Sequence, residues 1–449
     1  MISMPLDLKM PTASIVQYIY KTMGGNQEEV AKILGWDVKT IEVIEKGKDK
    51  YTKEQIRKIL EFYKVDKMEP ADRFGDGDVE KILRLWRTRI SNGKLKDARA
   101  YHDKFHLEKY DVLPVGLDLS MLYNMVLVKY FINVNRVDKA IPVLKEAEAK
   151  IGEANAENQY HYHFNKGTIL IFEENYKEAL KHFSTAYKLD YVEVKPHAHM
   201  IHYNMGVCYS KLGMCIRAIS QYETAYNLLD REQPYYFAML ISNNLSVNYI
   251  RARDLGLAKK YINDAMRLAL KLGDGIRQRR ALQNSGSVLM EENKFKEALE
   301  YFEEAFTFVT KEERSFLDIL YHKIICFISL KNPFAEDEIA VAKLLSQDDS
   351  HFYLLFTSLS HILTLEESES RRFIENIAIP HLMQTKEYYR IRYIYNLMEK
   401  HYTELGNKER LLEIQIKSDD LYKIMLLGGE DYEEETSLPP IDPDSYNRN

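Results

Sequence analysis

The sequence predicts an all-α fold built from repeated helical hairpins, and three observations carry that prediction. Similar segments recur about every 40 residues through the middle of the chain. Glycine and proline are scarce in the 449 residues, 19 and 12 in all, and proline is sparse between residues 143 and 379. That scarcity favours helices over a turn-rich β fold. Apolar residues make up 45% of the chain and charged residues 29%, enough for a sizeable core beneath solvated helix faces.

Two segments show the repeat most clearly: NKGTILIFEENYKEALKHFSTAY at 165–187 and NSGSVLMEENKFKEALEYFEEAF at 284–306. One skeleton fits these and two intervening copies. It reads Gly167–Leu170–Ala179–Phe183–Ala186, Gly206–Tyr209–Ala218–Tyr222–Ala225, Ser246–Tyr249–Ala258–Ile262–Ala265 and Gly286–Leu289–Ala298–Phe302–Ala305. A small residue on the first helix of each hairpin lets the second cross closely. Alanines on the second sit at close contacts, and the large residues fill the groove between hairpins. The spacing resembles the tetratricopeptide repeat with five or six residues added. Upstream, Val128–Phe131–Ala140–Leu144–Ala147 fits well and Trp86–Ala98–His102 loosely; downstream, residues 314–347, 351–383 and 388–427 read as eroded pairs. The expectation is a right-handed superhelix of eight or nine hairpins over 79–427. An unrelated all-α solenoid of the same period is the alternative.

Residues 12–65 break this period and read as four or five short helices, the bundle of a domain set at 1–68. Asn26 with Glu29, and Thr52 with Gln55, have capping-box spacing, and Asp37 is a good N-cap between them. Gln27 to Ile44 fits a helix-turn-helix. Val30, Leu34 and Trp36 are its apolar positions, Ala31 its close crossing, Gly35 its positive-φ turn, and Ile41 and Ile44 its grip on the first helix. With Glu45–Lys46–Gly47 ending the second helix, this segment resembles the Cro/Xre-type repressors. The resemblance implies that Gln27 contacts a phosphate or base edge. It implies that Val38, Lys39, Thr40, Glu42 and Val43 face the major groove, with Lys46, Lys48 and Lys50 near the DNA backbone. Residues 11–69 hold 11 Lys/Arg against 10 Asp/Glu, so one copy should bind weakly and a dimer on two half-sites is expected. A helix-turn-helix kept only for protein contacts is the competing interpretation.

Residues 69–78 (EPADRFGDGD) read as a hinge, and their aspartates lack EF-hand spacing. The net charge of −6 resides in the tail: residues 430–449 hold seven acids and one base, leaving the other 429 residues neutral. Residues 428–449 therefore read as an acidic disordered tail. No stretch is long and apolar enough for a membrane helix, and Met1 to Pro11 lacks signal-peptide features. Cys208, Cys215 and Cys326 form no disulfide framework, which suits the cytoplasm.

A tetratricopeptide groove is lined by first-helix residues. Counting the small residue as the eighth of its repeat, the sixth is Asn165, Asn204, Asn244 and Asn284. Asparagine is a mediocre helix former, but its side chain both donates and accepts, which suits the backbone of an extended peptide. Position five adds Asn243 and Gln283, with Tyr203 and Phe164 available for side-chain pockets. Arg277, Arg279 and Arg280 could take a carboxylate; of these, Arg277 and Arg280 are counted in the candidate site. The alternative role for the asparagines is bracing one hairpin against the next. His161, His163, His197, His199 and His202 lack partners that would complete a metal site, and no cofactor is expected. No phosphate loop, HExxH or GxSxG occurs, so an enzyme is not expected.

The combination of a Cro-like helix-turn-helix with a long tetratricopeptide superhelix resembles the RRNPP family, bacterial cytosolic receptors for secreted peptide pheromones. The resemblance implies a homodimeric transcriptional regulator whose DNA binding changes when a short linear peptide contacts the asparagines. The alternative is a receptor for another protein, such as a phosphorelay response regulator, without DNA binding. A phage or plasmid switch would share the mechanism and differ in its target genes.

Overall fold

A computed structural model describes residues 3–5, 13, 16–17, 20–21, 25–46, 50–63, 67–69, 76–91, 96–100, 117–189, 194–229, 235–366 and 368–427. The tail 428–449, Lys48, His102 and most of the hinge lie outside them. The chain divides into two compact units, Met1–Glu173 with Lys188–Val194, and Glu174–Tyr187 with Lys195–Asn449. The architecture is all-α apart from a short parallel pairing of β1 (Ser3–Pro5) with β2 (Lys67–Glu69).

In the first unit, α1 (Gln27–Leu34) begins at Asn26, whose side chain accepts from Glu29 N at 3.0 Å. It ends at Gly35, held at φ 70°, a conformation that a Cβ disfavours. Asp37 caps α2 (Val38–Glu45) through Thr40 N at 2.8 Å. The full capping box forms at Thr52 and Gln55, opening α3 (Lys53–Phe62). At Asn26 it is only half made, because the Glu29 carboxylate accepts from Tyr63 Oη at 2.9 Å instead of reaching back. Val30, Ala31, Ile41 and Ile44 are buried with Val16, Tyr20, Tyr51 and Ile59.

Further along this unit, α4 (Asp76–Ser91) starts inside the stretch read as a hinge. Its Trp86 is fully buried and donates from Nε1 to Ala98 O at 3.0 Å. Next come α5 (Leu117–Asn133), α6 (Val137–Glu148) and α7 (Ala156–Phe172). The expected Val128, Phe131, Ala140, Leu144 and Ala147 are all buried there.

The second unit contains α8 (Tyr176–Lys188) and a run of hairpins. Their helices are α9 (Val194–Lys211) with α10 (Cys215–Asn227), α11 (Tyr235–Arg251) with α12 (Leu255–Leu272), and α13 (Gly275–Glu291) with α14 (Phe295–Phe306). The skeleton acts as its spacing requires. A Cβ on Gly206 would lie 2.7 Å from the Tyr222 ring, and one on Gly286 would lie 2.6 Å from the Phe302 ring. Ala218, Ala225, Ala258, Ala265, Ala298 and Ala305 are buried against these crossings.

The eroded pairs follow. They are α15 (Arg314–Ser329) with α16 (Ala335–Leu345), α17 (Ser350–Leu363) with α18 (Ser368–Phe373) and α19 (Ile379–Gln384), and α20 (Tyr388–Glu404) with α21 (Lys408–Leu427). Between α18 and α19 the helix widens to a π turn at Ile374–Ala378, just before Pro380, whose ring and missing N–H disrupt an α ladder.

One regularity escaped the sequence. The turn inside successive hairpins places a left-handed residue at Asn135, Glu174, Gly213, Arg253, Asn293 and Lys331. In several of them the next N–H then bonds back to a skeleton residue: Arg136 N to Phe131 O at 2.8 Å, Met214 N to Tyr209 O at 2.9 Å and Asp254 N to Tyr249 O at 3.0 Å. This is a Schellman-type helix stop. Five of those six residues are not glycine, so composition did not reveal the turn.

Candidate peptide groove and helix-turn-helix

First-helix residues of the second unit converge on a cavity of about 570 Å3, within the range of ligand sites. Asn243 and Asn244 from α11 and Gln283 and Asn284 from α13 line it, as the repeat phase anticipates, together with Arg280. Two of these carboxamides also reach back about one repeat. Asn244 Nδ2 donates to Tyr203 Oη at 3.3 Å, and Asn284 Nδ2 to Ser246 Oγ at 3.0 Å. Asn244 and Asn284 thus line the cavity while bracing one hairpin against the next.

The remaining candidates divide. Asn165, in the first unit, is 2% exposed and donates to Met125 O at 2.8 Å, which is the bracing geometry. Asn204 and Tyr203 are half-buried on α9 and are not among the cavity's lining residues. Arg277 is also absent from that lining; its backbone N–H caps α13 on Asp274 Oδ1 at 3.0 Å.

Sequence reasoning missed much of the opposite wall. Asp318 from α15, with Glu387, Tyr388, Tyr389 and Arg390 around the start of α20, complete the cavity. Arg279 Nη1 donates to Gln283 Oε1 at 2.6 Å, and Gln283 Nε2 to Asp318 Oδ2 at 3.1 Å. Asp318 also accepts from Arg390 at 2.8 Å, and Arg390 pairs with Glu387. Burial pushes both carboxyls toward neutrality, but Arg390 overcomes it at Asp318 and holds that group below its ordinary value. At Glu387, hydrogen bonding to His351 and the charge of Arg390 outweigh burial and bring the pKa down to about 2. Arg251 donates to Ser210 Oγ at 3.0 Å, again one repeat back. The only signal for this wall was the Tyr388–Tyr389–Arg390 run, in a hairpin whose skeleton has decayed.

Among the histidines, His202 is buried, with Nδ1 2.8 Å from Gln221 Oε1. Its pKa is lowered by burial, and the Gln221 hydrogen bond opposes that shift only in part. All three cysteines are buried and free. Among the described residues, no helix is long and apolar enough to cross a membrane.

In the helix-turn-helix, Lys39, Glu42, Val43 and Lys46 are exposed, while Val38 and Thr40 are half-buried. Val38 packs against the core. Lys46 lies 3.7 Å from Glu42 as an exposed pair, worth little in water. Gln27 Nε2 donates to Glu45 Oε2 at 2.5 Å, and the same carboxylate receives Tyr20 Oη at 3.0 Å. Gln27 therefore ties the start of α1 to the end of α2, and contacting DNA would require it to exchange that partner.

The tetratricopeptide-repeat family profile matches residues 160–192 and 280–308. No curated protein matches the chain by sequence. Among solved structures, a Rap protein complexed with competence and sporulation factor superposes with a TM-score of 0.65 at 14% identity, covering 78% of this chain and 99% of that one. Its fold is shared with Rap and NprR. The apo quorum sensor NprR from B. thuringiensis gives 0.60 at 16% identity over 77% of this chain and 99% of its own. NprR in complex with its cognate peptide NprX gives 0.57 at 18%, with the same coverages. The resemblance to the RRNPP receptors therefore holds at the level of the fold.

Proposed function

We propose that this chain is a peptide-responsive transcriptional regulator of the RRNPP type. In this reading it is non-enzymatic and cytoplasmic, and acts as a homodimer on a DNA operator. The observation that carries the reading is the cavity walled by Asn243, Asn244, Gln283 and Asn284, in a fold like that of NprR bound to its peptide. Carboxamides one repeat apart can pair with successive peptide groups of an extended guest whatever its side chains. Domain limits of 1–68 for DNA binding, 69–78 for the link, 79–427 for the repeats and 428–449 for the tail belong to the same proposal.

The mechanism needs differential binding. Peptide must favour one spacing of the hairpins over another, because a ligand with equal affinity for both shifts nothing. Driving a nearly complete switch takes about 5 kcal/mol, and hydrogen bonds at ~1 kcal/mol each supply part of it. Small displacements between stacked hairpins then add up along the run.

Affinity selection from a synthetic hexapeptide library, read by mass spectrometry, tests the groove, with calorimetry on the enriched sequences. Enrichment that survives in the Asn244→Ala, Asn284→Ala variant would sink it. The DNA half is tested separately by selecting duplexes from a random pool. Replacing Lys39 and Thr40 with Ala should weaken the selected duplex by about 1–3 kcal/mol per lost contact, read in a gel shift.

A second reading, a receptor for a partner protein without DNA binding, is favoured by Gln27 being engaged by Glu45 and by the Glu42 carboxylate on the outer face of α2. Failure to select any duplex, with peptide binding intact, would establish it over the first.

A further inference from the structure

Six cations line the cavity, Lys211, Arg251, Arg279, Arg280, Lys386 and Arg390. Against them stand two carboxylates, Asp318 and Glu387, an excess of four positive charges. Both carboxylates are already engaged by Arg390. Arg251 is bonded to the neutral oxygens of Ser210, and among the described residues neither it nor Arg280 enters an ion pair. Guanidinium groups stay charged at any accessible pH, so the cavity carries a standing demand for anionic groups. Burial opposes the charge on Arg251, which a carboxylate guest would relieve.

The chain supplies such a guest close by. Met425, near the end of α21, is itself a lining residue. The same helix is anchored beside the hairpins: Tyr422 Oη donates to Ala252 O at 3.2 Å, and Arg253 lies 5.2 Å from the Tyr422 ring centre. α21 ends at Leu427; the sequence continues Gly428–Gly429, then Glu430–Asp431–Tyr432–Glu433–Glu434–Glu435. Four residues separate Met425 from Glu430, a reach of at most ~17 Å over the five Cα steps, and two glycines permit a sharp reversal.

We propose that the cavity takes anionic peptide segments and that the acidic run 430–435 is its tethered occupant, competing with any diffusing peptide. This rests on the cavity being a peptide groove. A short tether gives an effective concentration on the order of millimolar, so even weak docking raises the threshold for an external peptide. It also selects for guests that bring carboxylates of their own, from acidic side chains or a free C-terminus.

The test uses a fluorescein-labelled synthetic peptide of residues 428–437 titrated by anisotropy against full-length protein. In one variant all five acids are neutralised (E430Q, D431N, E433Q, E434Q, E435Q). A second adds R251Q and R280Q. The labelled peptide should bind the neutralised chain at least tenfold tighter than wild type, and lose at least tenfold on adding the arginine changes or on raising salt. R280Q alone, at an exposed position, serves where R251Q lowers the melting temperature. Equal affinity for wild type and neutralised chain, or no binding to the neutralised chain, overturns the inference. Uncharged hexapeptides retained in an Asn284-dependent manner, with the tail peptide ignored, would remove the tail and leave the groove. If no peptide binds at all, both fall.

Discussion

Asn165 and Asn284 hold the same place in the repeat yet meet different surroundings. Asn165 is sealed in the first unit, 2% exposed, with its amide on the Met125 carbonyl. Asn284 is half-buried in the second unit, its amide on Ser246 Oγ, and it faces a cavity rimmed by arginines. In a dry core the Asn165 amide has the Met125 carbonyl to donate to and no water as an alternative. At the wall of an open cavity the same group can trade its partner for water or a guest. Phase in a repeat therefore fixes which way a side chain points, and local packing fixes what it can do there.

The largest expected effect breaks or sustains this contrast directly. Asn165→Leu should lower stability by about 1–3 kcal/mol, because the buried bond to the second lone pair of the Met125 carbonyl is lost, whereas Asn284→Leu should cost less than about 1 kcal/mol. Thermal unfolding checks it, and equal losses would erase the distinction. Next in size, Asn244→Ala with Asn284→Ala should weaken a selected hexapeptide by about 10–30-fold, at ~1 kcal/mol per bond. Asn165→Leu should leave that affinity unchanged by calorimetry.

The smallest effect concerns pH. The Glu387 carboxyl, lowered from 4.5 to about 2, stabilises the fold fully above its unfolded value. That contribution is lost as pH falls from about 4.5 toward 2. Because this side chain is 31% exposed, solvent screening keeps the effect modest. Hydrogen exchange at pH 6 and pH 3 should show α20 loosening first, while the Asn165 brace, which has no titrating group, keeps its protection.

Much of the fold was legible because the signals are local. Gly206 and Gly286 mark close crossings that tolerate no Cβ; Thr52 with Gln55, and Gly35, mark helix ends by residue chemistry alone. The half-made box at Asn26 was not legible, since it depends on Tyr63, 34 residues away from Glu29, offering a better donor. The left-handed turns at Glu174, Arg253 and Lys331 were hidden as well, because helix packing imposes a conformation that these residues do not choose for themselves.

The sequence by itself determined the all-α hairpins, their period, and the facing of Asn243, Asn244, Gln283 and Asn284, because helical periodicity and small-residue spacing are properties of one stretch of chain. Only the tertiary structure decided that Asp318, Glu387 and Arg390 would close the cavity, that Asn165 would be a brace, and that Gln27 would pair with Glu45. Those outcomes turn on distances between residues far apart in the chain, and on which polar groups lose their water when hairpins stack.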